Sequence, residues 1–117
     1  MPHLNWAILK IGIDVHTKES IIKMLTERDD AVIRAVLAID RNQTTDERRG
    51  YVSVHDNGVG FSKFHAKMGM AAADHYRRYG YMTRPQLEWW KAQSRGKMRI
   101  AQYAGQLCDI ANGSMKA

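Results

Sequence analysis

The sequence predicts a mainly α-helical domain, a compact bundle of four to five helices. Three observations lead there. Residues 31–39 are apolar on nearly every side, with Arg34 the only charge, as befits a helix at a bundle's centre. Thr83-Arg84-Pro85-Gln86 has the form of a capping box, with Met82 and Leu87 at the two positions of a hydrophobic staple. Phe64, Met68, Ala71, Ala72, His75 and Tyr79 recur at three- and four-residue spacing. A chain of 117 residues supports one domain with a modest core, and an apolar fraction of 44% is ordinary for a globular protein. Residues 1–43 form an apolar and acidic helical half, and 57–117 a basic one.

Taken in order, residues 4–12 fit a short helix, although Ile11 and Ile13 alternate as in a strand. Thr17 can cap a helix, with Glu19 in its first turn and Ile21, Ile22, Met24 and Leu25 on its buried face. Asp29 is a second cap candidate. In the central helix Val32, Val36 and Ile39 line one face, with Ile33 and Leu37 beside them. Residues 40–50 turn polar, and Thr44 or Thr45 suits a short capped turn. Tyr51 to Val54 have strand character; with Asn57-Gly58 as the turn, a short β-hairpin near 51–61 is one reading and a structured loop the other. The helix carrying Phe64 to Tyr79 buries that stripe and stops at Gly80. The capping box opens a helix from about Arg84 to Asn112, with Gly96 as a bend and Gly113 as its stop. Its seam is Leu87, Trp90, Ser94, Ala101, Ala104, Cys108 and Ala111.

Charge is unevenly spread. Residues 1–58 carry eight Lys/Arg and nine Asp/Glu, a net of −1. Residues 59–117 carry ten and three, a net of +7. Such asymmetry suits a polyanionic partner, above all nucleic acid. Lys91, Arg95 and Arg99 stand four residues apart, so a continuous helix puts them on one face. Lys63, Lys67, Arg77, Arg78 and Arg84 extend the basic surface. Trp89, next to the seam residue Trp90, points outward as a stacking ring, with Tyr79 and Tyr81 close by in sequence. Phosphates held by basic residues and bases stacked on rings are what single strands require.

Asn57-Gly58-Val59-Gly60-Phe61 reads as a structural turn with Phe61 plugging the core. Its alternative is a backbone-amide nest for a phosphate. Five histidines and the single Cys108 show no metal-ligand spacing, and no nucleophile–base pair is evident, so neither a metal, a cofactor nor an enzymatic role is expected. Cys108 falls on an apolar helix side and reads as a buried thiol. The absence of a long apolar run or leader implies a cytoplasmic protein.

Three stretches resemble known families. Gly12-Ile13-Asp14-Val15-His16 resembles the first strand of some RNase-H-like transposases, whose fold needs further strands and ordered carboxylates that this chain lacks. Val54-His55-Asp56-Asn57-Gly58-Val59-Gly60-Phe61 resembles the Asp-x-Gly-x-Gly-Phe box of histidine-kinase-like ATPases. That family needs a larger α/β sandwich and an upstream helical Asn, and residues 31–39 contain no Asn. A longer pattern runs through residues 34–39, Gln43-Thr44-Thr45-Asp46-Glu47, Asn57 to Phe61, His65-Ala66, Gly69, Ala73, Met82-Thr83-x-x-Gln86 and Ile100-Ala101-x-Tyr103-Ala104-x-Gln106-Leu107. It resembles a small module of phage, plasmid and bacterial DNA-metabolism proteins, including helicase-associated segments, though His65 stands where that module has Asp. The resemblance implies a DNA-associated setting in a bacterial host cell and no reaction. The expectation is thus a non-enzymatic phage or mobile-element protein that binds nucleic acid, single-stranded DNA by preference. The alternatives are a protein-binding inhibitor or adaptor acting on a host nucleic-acid complex, such as an anti-defence protein, and a nucleotide-binding fragment.

Overall fold

A computed structural model of the chain describes residues 16–43 and 60–113. The helix expected at 4–12, Asp14, the polar turn at 44–50, most of the hairpin expected near 51–61, and Asn57 and Gly58 lie outside the described residues. Among those described, five α-helices and one two-stranded hairpin make up a mainly helical fold.

Helix α1 (Lys18–Glu27) begins at the expected cap. The Thr17 hydroxyl accepts from the Ser20 amide at 3.1 Å, and Ser20 Oγ accepts from the Thr17 amide at 3.0 Å. Ile21 and Leu25 are fully buried, with Ile22 and Met24 packed against the same cluster. The helix stops because Arg28 turns extended, and that residue is also the N-cap of α2 (Asp29–Asp40). Asp29 is therefore not the cap. It stands one residue inside, where its charge still suits the helix N-terminus, and its carboxylate meets Lys91 Nζ at 2.6 Å. Helix α2 is the hub, packed against every other described helix. Ala31, Val32, Ala35, Val36, Ala38 and Ile39 are buried, as its near-continuous apolar sequence requires.

Helix α3 (Ala66–Tyr79) ends at Gly80, whose φ of +81° gives the left-handed C-terminal turn. The face it buries differs from the one its spacing suggests. Ala66, Gly69, Met70, Ala72 and Ala73 pack inward, while Phe64, Met68, Ala71 and Tyr79 face out. Small residues win the inner face because they let the backbone approach α2 and the ring of Phe61. Periodicity registers large side chains and undercounts alanine and glycine.

Helix α4 (Arg84–Lys91) opens on the expected box: the Gln86 amide donates to Thr83 Oγ1 at 3.2 Å, and the Thr83 amide donates to Gln86 Oε1 at 3.0 Å. Met82 is buried and Leu87 packs on the core. Thr83→Ala should lower stability by about 1 kcal/mol; a urea midpoint equal to the wild type's would remove the box from the account of this helix.

The continuous helix to Asn112 does not form. After Lys91 the chain makes β1 (Gln93–Ser94) and β2 (Lys97–Met98), pairing Gln93 with Met98 and Ser94 with Lys97. The connection is a two-residue turn with positive φ at both Arg95 (+57°) and Gly96 (+86°), the combination that matches strand twist. Gly96 is thus a hairpin turn and not a helix bend. A 3₁₀ segment (Ile100–Tyr103) then leads into α5 (Ala104–Ala111). An unbroken helix of that length would run about 43 Å in one direction. Reversing at Gly96 instead returns Ile100, Tyr103 and Leu107 to the core that holds Trp90. At the far end α5 clasps the start of α1. Asn112 Oδ1 accepts from the His16 amide at 2.7 Å, and the half-buried Cys108 thiol donates to the His16 carbonyl at 3.0 Å.

Candidate nucleic-acid interface

The glycine turn is held by side chains from three other segments. The Gly60 amide donates to Gln106 Oε1 at 2.9 Å, and Gln106 Nε2 donates back to the Gly60 carbonyl at 3.1 Å. The Phe61 amide donates to Gln43 Oε1, and the Ser62 amide donates to the Tyr103 hydroxyl at 3.0 Å. Three successive N–H groups, the donors a phosphate nest would present, are thus engaged by the protein itself. Gly60 has φ +82°, and a Cβ there would overlap Gln43 Oε1. Phe61 is 2% exposed, its ring 5.5 Å from that of Trp90 and 6.0 Å from that of Tyr103. Gln43, Gly60, Phe61, His65, Gly69, Tyr103 and Gln106, scattered words of the sequence pattern, therefore meet at one point. They are a clasp that ties the end of α2, the approach to α3 and the start of α5.

His65 sits on this clasp. Its Nδ1 lies 2.8 Å from the Tyr103 hydroxyl, and its ring packs edge-on to Trp89 and Trp90, both at 5.5 Å. Burial, and then the positive charges of Arg99 and Arg95, push its pKa below the usual imidazole value. The unfolded chain therefore takes up a proton at a pH where the folded chain does not. Stability is full above about pH 6.5 and declines as the pH falls through that value. His65→Gln should flatten this part of a stability-versus-pH curve; an unchanged curve would assign the acid sensitivity elsewhere. Burial pushes the Tyr103 hydroxyl pKa up, opposed by its hydrogen bonds with Ser62.

The basic residues fall into two groups. Lys91, Arg95 and Arg99 do not form a stripe, because they occupy the end of α4, the hairpin turn and the residue before the 3₁₀ segment. Lys91 pairs with Asp29 at 2.6 Å. Arg99 lies 4.2 Å over the Trp89 ring and donates to the Trp89 carbonyl at 2.8 Å. Trp89 is accordingly half-buried, one face covered by a guanidinium and the rings of His65 and Trp90 packed perpendicular to it, and it is not an open ring for stacking. Arg77 meets Asp40 at 2.6 Å, and Arg84 makes an exposed pair with Glu88 at 3.5 Å. Lys63, Lys67, Arg78 and Arg95 are exposed and have no ion pair among the described residues.

Lys67 and Arg78 stand eleven residues apart on α3, three helical turns, so they lie on one line about 16 Å long. Beside that line run Phe64, Met68, His75 and Tyr79. Phe64 is 86% exposed, Tyr79 57% and Tyr81 56%. Among the described residues these three are the open aromatic rings. In the sequence Tyr79 and Tyr81 are marked only by lying close to the basic residues, and both Phe64 and Tyr79 read as members of the buried stripe. Among the described residues no helix is long and apolar enough to cross a membrane. Comparison with protein-family models, with curated proteins and with solved structures gives no match.

Proposed function

We propose that this protein is a non-enzymatic nucleic-acid-binding accessory protein of a phage or mobile element, and that it receives single-stranded DNA on the outer face of α3. The observation that carries the reading is Phe64, 86% exposed between Lys63 and Lys67, which have no ion pair among the described residues. A solvent-facing phenylalanine flanked by two cations presents a ring for a base and charges for the adjoining phosphates. The net charge of +7 in residues 59–117 and the resemblance to modules of DNA metabolism support the same direction. Arg78 and Tyr79 repeat the pairing of cation and ring at the other end of the helix.

The test is a titration of labelled oligothymidylate at two salt concentrations. Each phosphate contact contributes about −0.7 to the slope of log affinity on log salt for a single strand. The Lys63→Ala/Lys67→Ala variant should therefore flatten the slope by roughly 1.4. Lys91→Ala should leave it unchanged, because that ammonium is committed to Asp29. A folded double variant with wild-type affinity and slope would discard the reading.

A second reading has its own observation. Phe64, Met68 and Ala71 make an apolar strip that also suits a protein surface. An inhibitor or adaptor using that strip would bind its target with Lys63 and Lys67 at the rim and show no affinity for free DNA. Nucleotide binding through the glycine turn finds less support: the Gly60 and Phe61 amides are engaged and the Phe61 ring is in the core.

A further inference from the structure

Beyond the exposed line of α3, its C-terminal end carries an open recess of about 510 Å³ lined by Asp74, His75, Arg77 and Arg78. That volume lies within the range of small-ligand sites. What distinguishes it from a loose basic surface is the way Arg77 is held. Asp40 is 1% exposed and ends α2, where both burial and the helix dipole disfavour a carboxylate. It nevertheless receives Arg77 Nη1 at 2.6 Å, and the same nitrogen lies 3.6 Å from Asp74 Oδ1. Both carboxylates thus engage one terminal nitrogen. Nε and Nη2 of the guanidinium have no protein partner among the described residues. A buried acid that fixes an arginine by one nitrogen leaves the rest of its fork presented in a set direction. Arg78, with no ion pair among the described residues, also lines the recess.

Two rings that are not part of the lining pack against the lining residue His75. His75 lies 4.7 Å from the Tyr79 ring and 5.0 Å from the Tyr81 ring, and its Nδ1 is 3.0 Å from the Tyr81 carbonyl oxygen. A carbonyl only accepts, so that nitrogen carries the hydrogen. The left-handed Gly80 between the tyrosines lets the chain reverse and brings both to the same imidazole. Each ring is more than half exposed yet already placed, so little side-chain freedom is lost when a planar group stacks on it. We propose that the recess, together with the rings beside its His75, is a one-nucleotide subsite, in which Arg77 and Arg78 take a phosphate while Tyr79 or Tyr81, next to the recess, stacks the attached base. The ligand chemistry is a phosphate joined to a planar base, whether within a strand or as a free nucleotide. For the strand it rests on the function proposed above; for the free nucleotide it does not.

The experiment has two arms on the full chain. In the first, oligothymidylate is titrated against Tyr79→Ala, Tyr81→Ala, their phenylalanine counterparts, and Arg78→Ala, each checked for native helicity. At least one alanine variant should lose affinity roughly 5- to 150-fold with an unchanged salt slope, since stacking releases no ions. Phenylalanine should retain that affinity, and Arg78→Ala should flatten the slope by about 0.7. In the second arm, thymidine monophosphate is added to the wild type, and the ring resonances of His75, Tyr79 and Tyr81 are followed by NMR. Shifts with the free nucleotide identify a site complete in itself; losses seen only with the oligonucleotide identify a subsite of a bound strand. If Lys63→Ala/Lys67→Ala weakens oligonucleotide binding while every tyrosine and Arg78 variant binds like the wild type, α3 binds DNA and this recess does not. If no oligonucleotide binds, the function proposed above falls, and unshifted His75, Tyr79 and Tyr81 resonances then overturn the recess as well.

Discussion

Gly69→Ala should destabilise the protein by about 2–3 kcal/mol, and Gly69→Val should prevent folding altogether. By helix propensity alone the first change would stabilise by up to about 1 kcal/mol, since Gly69 lies in the middle of α3. Packing reverses the sign. A Cβ on Gly69 would come within 2.6 Å of three atoms of the Phe61 ring. That ring cannot retreat, because Trp90 and Tyr103 bound it and its own amide is held by Gln43. In a domain of this size the alanine variant should melt roughly 10–20 °C lower. Phe61→Leu removes the atoms in the way, so a double-mutant cycle should show the pair destabilising by less than the sum of the singles. A Gly69→Ala protein as stable as the wild type would mean that Phe61 does not press on α3.

Trp90→Ala carries an expected cost of about 3–5 kcal/mol, the usual range for truncating a fully buried large aromatic. Among the described residues Trp90 is the largest side chain with no exposure, and its ring is within 6.1 Å of those of Phe61, His65, Trp89 and Tyr103. It is where α4, the clasp and the 3₁₀ segment meet, so its loss loosens all three. Trp90→Phe should cost much less. Among the described residues the indole N–H has no hydrogen-bond partner, so replacing it forfeits volume and no bond. Urea denaturation of both variants checks the contrast. Equal losses would mean that an unseen partner of the indole N–H matters more than ring volume.

Some of the fold is legible residue by residue. Thr17 and Thr83 start their helices because a hydroxyl at the cap satisfies a nearby amide, which is a matter of three residues in a row. Gly80 ends α3 because a left-handed residue closes the last turn. The centrality of α2 follows from its having no polar side to turn outward. Such signals need no knowledge of what the rest of the chain does.

The candidate interface was legible only in part, and for a different reason. Net charge located the basic half, and Lys63, Lys67 and Arg78 can be picked from the sequence as its members. Nothing local tells that Lys91 answers to Asp29 sixty-two residues away, or that Arg99 covers Trp89. Whether a cation is free depends on who else is near it.

The sequence by itself determined the helical class, two helix starts, the hub helix and the sign of charge on the second half, because propensity, capping and composition act over a few residues. Only the tertiary structure decided which face of α3 is buried, where the last helix breaks, and which cations and rings remain open. The inner face of α3 went, apart from Met70, to alanine and glycine because a neighbouring ring needed the space. The chain reversed at Arg95-Gly96 because Ile100, Tyr103 and Leu107 gain more from the shared core than a straight helix could offer them. Both outcomes are set by what lies across the fold, a quantity that no window along the chain contains.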